Sequence, residues 1–259
     1  MKFAILTDIH LGPEGVYNGT LRKVNKDAKK LLNEFIEEMN NNVKPEFVVI
    51  LGDLIEDDDK ATDIENINYI VKSLTKLNCP AHYAAGNHDL KKLSVEELAN
   101  IFNQDKLYYS FDSNNLHFVV LFSKTFKDRA SSIEDEQKAW FQKDLDKTNK
   151  KCVVFVHHAL SDQDLTGNPW FEGRPEHCLV GNRKEIRSII SASNKVIAVF
   201  NSHLHWDKKD VHDGIPHFTI QSLVENEDDK GIASEAHAVI NIIDDKIDVE
   251  IKGNYSKKL

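Results

Sequence analysis

Short apolar runs recur along the chain, and several of them end directly in a polar residue. The runs are rich in Val, Ile and Phe, and their short length is typical of strands. They predict strands over residues 2–7, 47–51, 81–84, 152–156 and 196–200. A run that is apolar on both faces indicates a strand buried inside a sheet.

Other segments place apolar residues at helical spacing. They predict helices over about 20–40, 62–77, 133–147 and 183–193. The apolar stripe of the first helix consists of Leu21, Val24, Ala28, Leu31, Leu32, Phe35 and Ile36. Because strands and helices alternate in the first half of the chain, we predict a parallel sheet with right-handed crossovers there.

The second half is richer in strands. YYSFD and LHFVVLF predict a hairpin around residues 112–115, and three closing strands near 216–221, 236–243 and 246–251 have hairpin spacing. Parallel units followed by antiparallel strands predict an α/β fold with two mixed β-sheets packed face to face and flanked by helices, a four-layer α/β/β/α sandwich. No repeat or long linker interrupts residues 1–259, so we expect a single domain.

The chain carries an excess of negative charge. Its 42 acidic and 33 basic residues give a formal net charge of -9. We expect part of the excess at the polar strand ends and the acidic clusters at 56–59 and 225–229 outside the site that these ends form. Without a Lys/Arg-rich stripe, such a surface repels long nucleic acid, whereas a small anionic substrate remains compatible.

The sequence also bears on compartment. No apolar stretch approaches the ~20 residues of a membrane span, and residues 2–7 are predicted to be a strand rather than part of a signal peptide. Cys79, Cys152 and Cys178 lack metal or redox spacing. We expect the first two to be buried free thiols beside strand starts, which is consistent with a cytoplasmic location. The oligomeric state stays open.

Residue types that bind metal ions follow five of the predicted strands. In chain order they are Asp8, His10, Asp53, Asn87, His157, His203 and His205. Strand ends in an open α/β sheet meet along one edge, where ligands bind. Side chains two residues apart on an extended chain point the same way, so Asp8 and His10 can share one ion, and His203 and His205 can share one ion or flank two. Each pair alone is equally compatible with solvated loop residues.

Two glycine-containing blocks add chemistry. In GDLIE the glycine lets the chain turn, so that Asp53 projects from the strand end, although a Gly-Asp pair alone is usually just a turn. GNHD is more specific. Asn87 offers a carbonyl ligand, His88 can protonate a leaving group, and Asp89 can orient the His88 ring.

Five blocks of the sequence resemble those of the calcineurin-like metallophosphoesterase superfamily. They are DIH at 8–10, GDLIE at 52–56, GNHD at 86–89, HH at 157–158 and SHLH at 202–205. Their order and spacing match the family and span most of the chain. Ser202 stands where the family often has Gly, and Ala159 where it often has Pro, so we expect an altered loop shape with every ligand kept.

The resemblance implies two adjacent divalent ions. The implied ligands are Asp8, His10 and His205 for the first ion, and Asn87, His157 and His203 for the second. Asp53 would bridge the ions beside an attacking hydroxide, and His88 would stand next to them. His157 is chosen over His158 by motif position, and His158 is expected to be buried or supporting. A ligand set without thiolate suits Mn²⁺, Fe²⁺/Fe³⁺ or Zn²⁺.

The loop at 161–182 is long for a connection without secondary structure, and such loops are often functional. Trp170, Phe171 and Arg174 would form an aromatic platform beside a cation, which suits a nucleotide. An alternative is that the two aromatic residues pin the loop to the body of the protein.

The implied function is hydrolysis of a phosphodiester or phosphoanhydride bond in a small phosphorylated substrate. The chain is most similar to the cyclic-nucleotide and glycerophosphodiester branches of the family, and its ending is similar to Mn-dependent ADP-ribose and CDP-alcohol diphosphatases. A phosphomonoesterase is the alternative on the same core, for which Arg174 and Arg183 would be the candidate cations near a terminal phosphate. A metal-binding scaffold without turnover ranks below both.

Overall fold

The computed structural model describes residues 1–127, 130–244 and 246–259. Within these ranges the chain forms two six-stranded sheets, a separate two-stranded hairpin and five α-helices. The strands are β1 (Lys2–Leu6), β2 (Gly15–Tyr17), β3 (Thr20–Lys23), β4 (Val48–Leu51), β5 (Ala81–Ala84), β6 (Tyr109–Ser113), β7 (Leu116–Leu121), β8 (Lys151–Val156), β9 (Val196–Asn201), β10 (Lys208–His212), β11 (Ile215–Thr219), β12 (His237–Ile243), β13 (Lys246–Lys252) and β14 (Lys257–Lys258). The helices are α1 (Ala28–Glu38), α2 (Lys60–Leu74), α3 (Val95–Ile101), α4 (Asp135–Lys147) and α5 (Arg183–Ser193).

Each sheet contains a block of parallel strands, which antiparallel strands border on one side in the first sheet and on both sides in the second. The first sheet has the order β14-β13-β12-β1-β4-β5, with β1, β4 and β5 parallel. The second has the order β10-β11-β9-β8-β7-β6, with β7, β8, β9 and β11 parallel. The parallel strands of both sheets end at the edge where the polar residues follow them.

The two sheets pack face to face over an aromatic core. The Phe3 ring stacks on Phe47 at 5.0 Å between centroids and meets Phe118, Phe155 and Phe200 edge-on. Helices α1 to α3 cover the outer face of the first sheet, and α4 and α5 cover that of the second. The predicted four-layer sandwich is therefore confirmed.

The predicted helix over 20–40 is wrong in its first third. Helix α1 begins only at Ala28, and β2 and β3 form a hairpin before it. Asn18 (φ 51°) and Gly19 (φ 80°) make the turn, and an Asn-Gly pair favours this conformation at both of its positions. Leu21 and Val24 therefore leave the helical stripe, whose later members pack as predicted.

Other differences are small. Helix α3, which opens with a capping box of Ser94 and Glu97, and β10 at the edge of the second sheet were not predicted from the sequence. All three cysteines are free: Cys152 is buried as predicted, whereas Cys79 is only half-buried. None of the helices in the described ranges is long and apolar enough to cross a membrane.

Candidate metal centre

The seven predicted ligand residues lie together where the chain leaves the parallel strands. Five of them have left-handed backbone conformations. These are Asp8 (φ 49°), His10 (φ 45°), Asp53 (φ 49°), His203 (φ 69°) and His205 (φ 54°). Such conformations are uncommon outside glycine and accumulate at functional sites. The extended geometry predicted for the 8–10 and 203–205 pairs is therefore wrong, although the turned chain still brings all four side chains to one site.

Two glycines allow the ligand loops to approach each other. A Cβ atom at Gly52 would lie 2.5 Å from His157 Nδ1, and one at Gly86 would lie 2.1 Å from Asp53 Oδ1. Gly52 also has φ 97°, which confirms the predicted turn before Asp53.

The first group of ligand atoms belongs to Asp8, His10 and His205. The two histidine Nε2 atoms lie 3.1 Å apart, and they lie 3.8 and 3.3 Å, respectively, from Asp8 Oδ1. All three side chains are buried. Asp8 Oδ1 has no hydrogen-bond partner within the described ranges. A buried carboxylate oxygen beside two ring nitrogens is a fitting site for a cation.

The second group surrounds Asp53. Its Oδ2 atom lies 3.3 Å from His157 Nε2 and 3.9 Å from His203 Nδ1, and Asn87 Oδ1 lies 3.3 Å from the same His157 nitrogen. His203 Nδ1 is likewise buried without a hydrogen-bond partner in the described part of the chain. Asp53 Oδ2 is also 3.9 Å from His10 Nε2, so Asp53 stands between the two groups.

The histidine nitrogens that face away from the centre are all held. His10 Nδ1 pairs with Glu56 at 2.9 Å and His205 Nδ1 with Glu225 at 2.6 Å. His157 Nδ1 bonds the Leu51 carbonyl at 2.9 Å, and His203 Nε2 bonds the His177 carbonyl at 3.1 Å. Such partners fix the tautomer and orientation of metal-binding imidazoles. The other ring nitrogen of each of these histidines consequently faces the carboxylates of Asp8 and Asp53.

Acidic residues that the sequence analysis placed outside the site belong to it. Glu56 and Glu225 hold ligand histidines, and Asp57 contacts His88. Glu56 could have been suspected because it closes the GDLIE block. Nothing local marks Glu225, which follows His205 by 20 residues and reaches it only through the fold.

The buried carboxylates create a strongly negative environment. Burial opposes ionisation of Asp8 and Asp53, yet the neighbouring histidines hold both pKa values below the ordinary range. Burial likewise opposes charge on His157 and His205, but the carboxylates beside them raise each pKa to about 9. A site that draws positive charge this strongly into a dry interior is suited to divalent cations.

His88 lies beside the centre, but not with the partner predicted for it. Its Nδ1 pairs with Asp57 at 2.7 Å, and its backbone N–H donates to Asp53 Oδ1 at 2.8 Å. Asp89 is fully buried, and its carboxylate accepts backbone N–H groups from Leu54 and Gly86, both at 2.8 Å. The prediction that Asp89 orients the His88 ring is therefore corrected: Asp89 joins two ligand loops, and Asp57 contacts His88.

The two departures from the family pattern have local explanations. Ser202 Oγ donates to the Leu51 carbonyl at 2.9 Å and lies 3.0 Å from His157 Nδ1. The Ala159 N–H donates to the Cys178 carbonyl at 3.3 Å, a bond that proline could not make. Ala159 thereby ties the strand end to the loop at 161–182.

His158 is buried and belongs to neither ligand group. Its Nδ1 bonds Ser123 Oγ at 2.8 Å, and its ring lies 4.3 Å from that of His203. This agrees with the supporting position expected for it.

The loop at 161–182 closes one side of a cavity of about 300 Å³ over the centre. Trp170, Phe171 and Arg174 all line it. The Trp170 indole N–H donates to Glu225 at 3.1 Å, and its ring packs 5.0 Å from that of Tyr17. These bonds fit the pinning interpretation, while the position at the cavity keeps substrate contact open.

The cations at the cavity match the expected ones in part, because Arg174 lines it and Arg183 does not. Arg174 bonds the Tyr17 hydroxyl and the Trp170 carbonyl. Arg183 instead binds Asp162 and lies away from the cavity lining. Lys23 and Lys91, which the sequence analysis did not name, line the cavity as well.

Known proteins share this sequence pattern and architecture. A probable cyclic nucleotide phosphodiesterase of Xenorhabdus bovienii is 26% identical over 212 residues, which cover 79% of this chain and 78% of that protein. Purple acid phosphatase 22 of Arabidopsis thaliana is 32% identical over 108 residues, 40% of this chain, and the match spans only 22% of that longer protein. The crystal structure of a dimetal phosphatase from Danio rerio has the same fold, with a TM-score of 0.79 at 15% identity over 99% of this chain and 98% of that one.

The family comparison agrees with the geometry of the centre. The sequence model of the calcineurin-like phosphoesterases matches residues 1–207, which include both ligand groups and His88. The chain therefore belongs to the calcineurin-like phosphoesterase family.

Proposed function

We propose that the protein is a two-metal hydrolase that cleaves a phosphodiester or phosphoanhydride bond in a small, nucleotide-type substrate. The observation that carries the proposal is the pair of buried ligand groups on either side of Asp53, beneath a cavity of about 300 Å³. This volume is at the lower end for small-molecule sites. A long nucleic acid does not suit a chain with a net charge of -9.

The donor atoms fit two ions in the arrangement that the family resemblance implies. Asp8, His10 and His205 would hold one ion, Asn87, His157 and His203 the other, and Asp53 both. Oxygen and imidazole donors without thiolate suit Mn²⁺, Fe²⁺/Fe³⁺ or Zn²⁺. When bound, such ions offset phosphate charge and make hydroxide available near neutral pH.

His88 is suited to protonate the leaving group. Asp57 holds its Nδ1 atom at 2.7 Å, which leaves Nε2 for a substrate in the cavity that His88 lines. Its backbone bond to Asp53 fixes the residue relative to the ligand groups. A general acid must lie within hydrogen-bond reach of the leaving oxygen, and the place of His88 in the cavity lining beside Asp53 is compatible with this requirement.

The cations around the cavity favour a substrate with a single phosphate charge. Lys23 is paired with Glu56 at 2.6 Å, and Arg174 is bonded to Tyr17 and to backbone. A diester carries one negative charge per phosphate, so it needs no further cation. A phosphomonoesterase is the second candidate, because Lys91 lines the cavity and is exposed.

Turnover of two nitrophenyl esters tests the proposal. Metal-stripped protein would be reconstituted with Mn²⁺ and assayed with bis-p-nitrophenyl phosphate and with p-nitrophenyl phosphate, with Asp53→Asn as the inactive control. We expect faster hydrolysis of the diester. Faster hydrolysis of the monoester would favour the second candidate, and no Mn²⁺-dependent hydrolysis of either would support a scaffold role.

The location is part of the same proposal. We place the protein in the cytoplasm, because its three cysteines are free and thiols persist in reducing compartments. Fractionation of the source cells checks this.

A further inference from the structure

Within the described residues, carboxylates stand behind the histidines of only one of the two ligand groups. Glu56 holds His10 and Glu225 holds His205, both of the first group. The second-group histidines are held by neutral carbonyls of Leu51 and His177. The first group therefore has two additional negative charges behind its ligands, one on the buried Glu225 and one on Glu56, whose side chain is 18% exposed.

Consecutive residues of β3 compensate these charges. Lys23 Nζ lies 2.6 Å from Glu56 Oε2, and Arg22 donates to Glu225 Oε1 from Nε at 3.2 Å and from Nη2 at 3.0 Å. Lys23 is only 4% exposed and Arg22 only 9%. Neighbouring side chains on a strand point to opposite faces, so β3 can place one cation on each carboxylate.

The backbone holds β3 in this position. The Asn226 N–H donates to the Arg22 carbonyl at 2.7 Å, and the Val24 N–H donates to the Val224 carbonyl at 2.8 Å. The hairpin is thus hydrogen-bonded to the segment that carries Glu225. Trp170 donates to the other oxygen of that carboxylate, so Glu225 is bonded on both of its oxygens.

We propose that Arg22 and Lys23 are positioning residues for the first ion of the centre, each acting through the carboxylate that orients one of its histidines. The inference rests on the two-metal centre of the proposed function. A carboxylate in this partly or fully buried setting that loses its cation is left with an unpaired charge and must change its partners. That change disturbs the histidine in front of it, and comparable losses of support lower metal affinity about 10–100-fold.

Titration of Mn²⁺ into the metal-stripped full chain tests the inference. We expect Arg22→Met and Lys23→Met each to weaken one of two Mn²⁺ sites about 10–100-fold and to leave the other near its wild-type affinity. Lys26→Met is the matched control, because the Lys26 side chain is 63% exposed and lies 3.8 Å from Glu14. Wild-type affinity at both sites in the two variants would overturn the inference.

A double variant shows whether Lys23 acts through Glu56 and guards against misfolding. Glu56→Gln removes the negative charge, so adding Lys23→Met to it should restore charge balance and should not weaken Mn²⁺ binding further. Additive losses would mean that Lys23 acts by another route and would refute the inference. If the wild-type protein binds two Mn²⁺ ions but hydrolyses neither nitrophenyl ester, the proposed function fails, while the Lys23 variants still decide this inference.

Discussion

Replacing Asp89 with alanine should destabilise the loops that support the metal centre, and it should not act through His88. The carboxylate accepts the Leu54 and Gly86 N–H groups at 2.8 Å each and the Ile55 N–H at 3.4 Å. Hydrogen bonds to a charged group contribute about 1.5–3 kcal/mol each. Counting only the two short bonds, we expect Asp89→Ala to lower the free energy of unfolding by about 3–6 kcal/mol, a large part of the ~5–15 kcal/mol of a typical domain.

The measurement is urea unfolding of the metal-stripped protein, so that ion binding does not add to stability. Asp57→Ala is the matched comparison, because Asp57 contacts His88 from a side chain that is 28% exposed. It should change stability by less than about 1 kcal/mol and should slow hydrolysis of substrates with poor leaving groups. His88→Ala should show the same dependence on the leaving group, with a loss of about 10²–10⁴-fold.

One pattern of results would refute this reasoning. If Asp89→Ala unfolds at the wild-type urea concentration and loses activity with the leaving-group dependence of His88→Ala, then Asp89 orients His88 after all. Equal losses across leaving groups in His88→Ala would instead assign His88 to phosphate positioning.

Three further outcomes are expected. Asp53→Asn should lower occupancy at both ions and reduce activity by at least ~10–100-fold; two fully occupied ions by metal analysis would contradict the bridging position. Trp170→Phe loses the indole N–H, so it should lower the melting temperature and impair hydrolysis of every substrate alike. An increase in KM confined to nucleotide substrates would instead indicate that the indole stacks on a base, and in Trp170→Ala the lost binding free energy would then be about 1–3 kcal/mol. His117 bonds Asp144 at 2.8 Å and Asp112 at 2.7 Å, and these bonds raise its pKa above the ordinary 6.5. The stabilisation that His117 gives the folded protein should be complete below pH 6.5 and should be lost as the pH rises through the raised pKa. The melting temperature measured against pH tests this, and an equally steep fall in His117→Gln would show that the effect does not come from His117.

The sequence was a good guide wherever the physical cause is local. Apolar runs marked β1, β4, β8 and β9 within a few residues, because burial on both faces demands apolar side chains at nearly every position. Helix α5 was predicted at its observed bounds, 183–193. The candidate ligand residues could be recognised in the sequence because buried strands rarely continue into Asp, Asn and His.

Local patterns also misled. Leu21 and Val24 match a helical stripe, but the Asn18-Gly19 turn placed them in and after a hairpin. Asp89 is next to His88 in sequence and was assigned to its ring, although its carboxylate faces the opposite loop. The side chains of adjacent residues can point in different directions, and the backbone conformation between them decides which groups they contact.

The sequence by itself determined the layered α/β fold and the family, and it marked the candidate ligand residues together with their expected division around Asp53, since these depend on periodicity and on residue types at strand ends. Only the tertiary structure decided which groups support the candidate ligands. Glu225 meets His205 and Arg22 through hydrogen bonds that span 20 and 203 residues of chain. Partners so distant in sequence share no local pattern, because their contact arises only when two sheets, a hairpin and a long loop converge on one edge.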